Sequence, residues 1–304
     1  MFRRLLIVVS ATVAMFSLGL QAAQATWSVV GVDAETGEVG VAVASCVGFE
    51  VSVVPVLVPG MGAAASQADI SANSGERFVE SIKAGATAVE VVDIVVAADE
   101  APEDRQFGVV VLGDGGAGWT GSGTFDVALD RRSSDGTVSA QGNILVSQDV
   151  VDAAIAAFEV ADGDLADRLV AGLVAGADAG GDSRCGEQTA RAAALIVARP
   201  SDDTYAFTDA GVLGVDPDVE TVPSVFVSVL VAEGGDRAPD RLAEAWRGAD
   251  RSASTVTIRQ VDDGANSALG AARNIVLVLL GLVAAVVVVV IVVVIRSRRR
   301  TRAS

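Results

Sequence analysis

Apolar and polar positions change period several times along the chain, and each change marks an element. Thr26-Trp27-Ser28-Val29-Val30-Gly31-Val32 alternates and is β-branched, which predicts a strand. Asp33 to Glu38 reads as a turn with Gly37 free to take positive φ, and residues 39–45 as the returning strand. Residues 51–58 and 61–67 predict two more strands around Pro59-Gly60. Between 74 and 98 the period turns helical, with Phe78, Ile82, Val91, Val92 and Val95 on one side and a break near Gly85. Strands follow at 107–112, 117–120 and 138–145. Residues 150–158 and 165–175 form a helical pair separated by Asp162-Gly163-Asp164. Residues 192–197 and 205–212 predict the last strands, and 242–246 a short helix. Strands arriving in hairpins, with helices between groups of them, predict an α+β fold with mostly antiparallel pairing. Residues 26–250 read as one domain and 251–274 as a polar stalk.

The two ends read as addresses. Met1-Phe2-Arg3-Arg4, an apolar stretch over 5–20 and Ala23-Gln24-Ala25 have the parts of a secretory signal peptide, residues 1–25. An uncleaved anchor is the other reading. Residues 275–295 are apolar or small and carry no charge, long enough to cross a bilayer. Arg296, Arg298, Arg299, Arg300 and Arg302 follow in the 296–304 tail, which places that end in the cytoplasm. The expectation is a single-pass protein of the cell membrane, attached through this C-terminal helix, with its N-terminal domain outside.

Composition narrows the chemistry. Histidine is absent, which excludes a Ser-His-Asp triad, a Cys-His dyad and a His-ligated zinc site. Between 26 and 250 there are 37 Asp and Glu against 12 Arg and Lys, a balance of −25, and Lys83 is the only lysine. So negative a body repels phosphate backbones, and nucleic acid is excluded as a partner. Gly113-Asp114-Gly115-Gly116-Ala117-Gly118 has dinucleotide-site spacing, but no helix start follows, so a hairpin turn is the reading. Asp162-Gly163-Asp164 lacks the other ligands of a calcium loop. No cofactor and no metal is expected. Cys46 and Cys185, outside the cell, either form a disulfide or remain two buried thiols.

The remaining chemistry lies at Thr26. Cleavage after Ala25 makes it the first residue of the mature chain. An N-terminal threonine is a nucleophile that needs no histidine, because its own α-amine, with a pKa of about 7.7–8.0, takes the hydroxyl proton. A plain strand threonine is the other reading.

Several short motifs, in order, resemble the family known as domain of unknown function 1028 (DUF1028). They are Thr26-Trp27-Ser28-Val29-Val30, the run from Thr36 to Ser45, Pro59-Gly60-Met61-Gly62-Ala63, Arg105-Gln106-Phe107-Gly108-Val109-Val110, Thr120-Gly121, Gln141-Gly142-Asn143-Ile144-Leu145 and Ala179-Gly180-Gly181-Asp182-Ser183-Arg184. The resemblance covers roughly residues 26–200. Ser66-Gln67 stands where the family has Thr-Gln, and the family's ending is not found after Arg199. The resemblance implies an N-terminal-nucleophile (Ntn) hydrolase-like fold, a four-layer sandwich of two antiparallel sheets between helical layers. With the C-terminal transmembrane helix this completes the expected fold class. It implies Thr26 as nucleophile and amine base, and it supports a Cys46–Cys185 bridge. Asn143 is an oxyanion donor or a turn residue. Asp182 and Arg184 pair to orient the Thr26 amine or cap a loop. Ser45 and Gln67 line the pocket mouth, Arg105 makes a salt bridge and Asp33 is solvated. The function expected is an amide or acyl hydrolase held at the membrane. A catalytically inactive Ntn-like surface module, with a binding or structural role, is the alternative, and an acidic structural surface protein is the third reading.

Overall fold

Thr26–Val32 forms strand β1, and the chain turns back at once into β2 (Val39–Ser45). Asp33 closes the turn, its Oδ1 accepting the N–H of Glu35 at 2.8 Å and of Thr36 at 2.9 Å. Burial opposes its ionisation, yet these backbone bonds hold the carboxyl below the ordinary aspartate value. The computed structural model describes residues 26–47, 51–208, 211–213, 225–232 and 236–261. The chain divides into two units, Met1–Arg259 and Gln260–Ser304; in the second only Gln260 and Val261 are described.

The large sheet has the strand order β13 (Val256–Val261), β12 (Val227–Ala232), β9 (Ala192–Ala198), β2, β1, β8 (Val138–Asn143), β7 (Leu129–Arg132). A four-stranded sheet follows chain order through β3 (Pro55–Val58), β4 (Gly62–Ala68), β5 (Arg105–Val111) and β6 (Gly115–Thr120). The Gly113–Gly118 run is the β5–β6 hairpin. Residues 205–212, expected as one strand, break into a small ribbon of β10 (Ala206–Thr208) and β11 (Gly211–Leu213).

Five α-helices complete the described residues. The 74–98 pattern is two of them, α1 (Ala72–Lys83) and α2 (Ala88–Ala98), parted at Gly85, whose φ is 79°. Thr87 and Glu90 form a capping box that starts α2. Asp164 and Asp167 do the same for α4 (Leu165–Asp178), which follows α3 (Asp149–Val160), so Asp162-Gly163-Asp164 is a helix entry. The last helix is α5 (Ala238–Arg247).

Alternation along β1 and β2 sends Trp27, Val29, Ala42 and Ala44 to one face of the large sheet. There they pack with Phe158, Leu169, Leu173 and Trp246 from α3, α4 and α5. On the smaller sheet, Val56, Ala64, Phe107 and Val109 pack against Phe78, Ile82, Val91 and Val95 of α1 and α2. The other faces of the two sheets meet each other, and that meeting is polar at one end.

The expected fold class needs correction. The described chain is mixed α+β, with two principal sheets and five helices. Among the described residues no helix is long and apolar enough to cross a membrane. The longest, α4, has 14 residues; at about 1.5 Å per residue it spans about 21 Å, short of the roughly 30 Å hydrocarbon core. The C-terminal transmembrane helix, and membrane attachment through it, are therefore not supported. The 275–295 stretch and the signal residues 1–25 lie outside the described residues.

Arg105 at the start of β5 makes the salt bridge expected of it, twice over. Its Nε meets Asp99 Oδ2 at 3.1 Å and its Nη1 meets Asp69 Oδ2 at 2.7 Å. The Asp99 side chain is 2% exposed, and it also accepts from the Ala101 N–H and the Ser74 hydroxyl. Burial opposes its ionisation, but the Ala101, Arg105 and Ser74 bonds hold the carboxyl below its ordinary value. A depressed carboxylate adds stability above its ordinary pKa and loses it as pH falls through the folded value. Asp99→Asn is therefore expected to cost about 3 kcal/mol at pH 7. The gap to the unmutated protein closes as the pH drops below about 4. Urea unfolding at pH 7 and pH 3 measures both, and an equal gap at the two values refutes the assignment.

Candidate functional site

Thr26 opens β1 directly opposite Ser45 of β2 and Asn143 of β8. Directly opposed residues in antiparallel strands share a face, with Cβ atoms about 4.5–5.5 Å apart. The three thus form one row across the large sheet, and all are buried. Thr26 Oγ1 donates to Ser45 Oγ at 3.3 Å, and that oxygen also accepts the Val47 N–H. Trp27 points the opposite way, its indole N–H donating to Leu173 O at 3.3 Å. Gly176 leaves room for this, since a Cβ there would lie 2.8 Å from Trp27 Nε1. Helix α4 thereby fixes the first turn of β1 from behind.

Two residues on, alternation places Ser28 on the face of Thr26, opposite Gln141. On the facing sheet Gln67, Gln106 and Thr120 are opposed in a second row. The rows join in a ladder of uncharged groups. Ser28 Oγ donates to Gln67 Oε1 at 2.6 Å, and Gln67 Nε2 donates to Thr26 O at 3.2 Å and to Gln106 Oε1 at 2.9 Å. Gln106 Nε2 donates to Gly142 O at 2.8 Å, Leu129 O at 3.2 Å and Thr120 Oγ1 at 3.1 Å. Asn143 Nδ2 donates to Gln106 Oε1 at 3.1 Å, while Asn143 Oδ1 is buried and receives no donor. Gln141 Nε2 donates to Ser28 Oγ, and its Oε1 accepts from Ser139.

The Gly-Asp-x-Arg loop closes the end of the row. Asp182 is fully buried; its Oδ2 accepts the Cys46 N–H at 2.9 Å and its Oδ1 the Arg184 N–H at 2.9 Å. The Arg184 guanidinium adds a bond to each oxygen, at 3.2 and 3.0 Å. Ser183 holds Ile144 O through both its N–H and its hydroxyl. Cys46 and Cys185 are disulfide-bonded, with Cα atoms 5.6 Å apart. The loop thus grips the residue after Ser45 and the residue after Asn143. Ile144 has φ 53°, an uncommon conformation for a β-branched residue, and the loop holds it there.

Of the residues singled out from sequence, Thr26, Ser45 and Asn143 come together in one row, and Gln67 reaches them from the other sheet. Asp182 and Arg184 pair with each other, and the remaining bond of Asp182 goes to the β2 end. Ser28, Gln106 and Gln141 were not singled out. Their signal was present: Ser28 shares the parity of Thr26, Gln141 that of Asn143, and Gln106 stands inside a quoted motif.

Residues 26–221 match the model of a family of unknown function, DUF1028. The fold is similar to the crystal structure of a DUF1028 protein from Silicibacter pomeroyi. The two share a TM-score of 0.59 and 24% identity, over 75% of this chain and 88% of that one. No curated protein matches. The matched residues make up more than half of the chain and include the row, the ladder and the Gly-Asp-x-Arg loop, so the chain belongs to the DUF1028 family.

Proposed function

We propose that the protein is an exported hydrolase of the Ntn type, with Thr26 as an N-terminal nucleophile acting on an amide or related acyl bond. The observation that supports this reading is the position of Thr26. It directly follows an A-x-A cleavage signal, opens the central hairpin, and carries a hydroxyl bonded to Ser45 Oγ. The surrounding ladder is made of Ser, Thr, Asn and Gln, none ionisable near neutral pH. The amine released by cleavage is then the base. As Oγ1 bonds to the acyl carbon, the neutral amine takes the hydroxyl proton. The carbon–nitrogen bond of the substrate breaks as that proton passes to the leaving amine. Water then hydrolyses the threonyl ester, releases the acid and restores Thr26. Ser45 positions the hydroxyl, Gln67 steadies the Thr26 carbonyl, and Asp182 with Arg184 holds the strand ends that frame the row.

The test is N-terminal sequencing of the processed protein, followed by a panel of acyl substrates. Thr26→Ala is expected to lower turnover by at least about 1,000-fold, with an unchanged melting temperature. A processed N-terminus other than Thr26, or an active Ala variant, refutes the reading. One observation favours the inactive-module alternative: Thr26 is only 3% exposed. On that alternative Thr26→Ala is silent in every assay.

A further inference from the structure

We infer that Gln106 is a positioning residue that locks the Asn143 amide with its carbonyl oxygen toward Thr26, making Asn143 the acceptor for the mature α-ammonium and not a donor to an oxyanion. This rests on the reading of Thr26 as the processed N-terminus.

The orientation follows from two backbone carbonyls. Gly142 O and Leu129 O can only accept, and both lie within hydrogen-bond distance of one end of the Gln106 amide, at 2.8 and 3.2 Å. That end is therefore the NH2, and the other is Oε1. Oε1 faces the amide ends of both Gln67 and Asn143, at 2.9 and 3.1 Å, and both must be NH2 groups to bond it. Gln67 agrees independently. Its NH2 also meets Thr26 O and its Oε1 takes the Ser28 hydroxyl. Asn143 has no such freedom to satisfy its second atom. Its Oδ1 is buried and has no donor.

A buried acceptor without a donor is costly and waits for one. Asn143 is opposed to Thr26 across β1 and β8. Signal cleavage converts the Thr26 peptide nitrogen into an ammonium, adding donors at that place. The amide so held favours the ammonium and orients the amine as it cycles between base and acid. The charged groups near the two rows are Asp182 and Arg184, which pair with each other, Arg191, whose N–H holds Ser45 O, and Asp130, which accepts from Thr120 Oγ1 at 3.1 Å and pairs with Arg132. All of them are common to the variants below.

The test uses the processed chain labelled with 13C-threonine. The Thr26 Cα and Cβ shifts followed against pH give the ratio of ammonium to amine without any substrate. Asn143→Leu removes the acceptor, and Gln106→Met frees Asn143 to turn its NH2 inward. Each is expected to shift the ratio about tenfold toward the neutral amine at a fixed pH. Asp99→Asn, destabilising but remote, is expected to leave the ratio unchanged. Should Gln106→Met not fold, Asn143→Leu decides. A ratio unmoved by Asn143→Leu, or moved toward the ammonium, overturns the inference while the Thr26 reading stands. An N-terminus other than Thr26 overturns both and is seen before any titration.

Discussion

Reduction of the Cys46–Cys185 bridge is expected to lower the unfolding free energy by up to about 5 kcal/mol. The two residues are 139 positions apart, so the bridge removes a very large set of unfolded conformations. It also has native-state partners that outlast it. Asp182 still accepts the Cys46 N–H, and Ser183 still holds Ile144 O, so the loop has a defined place to return to when the sulfurs part. The folded state should therefore survive reduction with its contacts in place, and the loss should come through the unfolded chain. Guanidinium unfolding with and without a reductant, with the Cys46→Ser/Cys185→Ser variant as a second measurement, tests this. The reduced protein and the double variant should share one midpoint well below that of the oxidised protein. A midpoint unchanged by reduction would mean that the bridge adds nothing to the Asp182 and Ser183 contacts.

How far the sequence could be read depended on what each signal encodes. The β1–β2 hairpin and helices α1 to α4 were legible because their determinants are local: β-branched alternation, Gly breaks and a 3.6-residue period. Strand β7 was not, since Leu-Asp-Arg-Arg carries no apolar alternation, it pairs at the sheet edge with β8, and of its four residues only Leu129 is buried. Strand β13 lies in a polar stretch that reads as a stalk, and its place at the sheet edge accounts for that composition. The site divides in the same way. Thr26 was marked by the cleavage signal, and Ser45 and Asn143 by the motifs around them. Gln106 looked like any polar residue near a strand start. Its burial depends on pairing β4 with β5 and laying that sheet on β1 and β8, and its side-chain partners lie 14 to 39 positions away on four other strands. A single glutamine does not state which carbonyls it will meet.

Gly108→Ala should be the most damaging single-methyl change in the ladder. Gly108 lies within β5, opposed to Ala65 and Gly118, in extended backbone that alanine adopts without strain. Local propensity therefore does not predict a loss. Packing does: a Cβ at 108 would fall 1.7 Å from Gln141 Oε1 and 2.3 Å from its Cδ. The glutamine must leave its place, and with it go the bonds to Ser28 and Ser139. Overpacking at about 1–3 kcal/mol, added to buried polar groups left unpaired at about 1–3 kcal/mol each, gives an expected loss of about 3–5 kcal/mol. Gly85→Ala supplies the contrast. No atom lies within 4 Å of the added methyl, and only the φ of +79° opposes it, which costs about 1–2 kcal/mol. If the clash with Gln141 is the cause, Gln141→Ala in the Gly108→Ala background must relieve it. The double variant is then more stable than the sum of the two single losses by at least about 1 kcal/mol. Strict additivity would place the damage in the β4–β5–β6 backbone instead, and the amide ladder would lose its claim to hold the two sheets in register at Thr26.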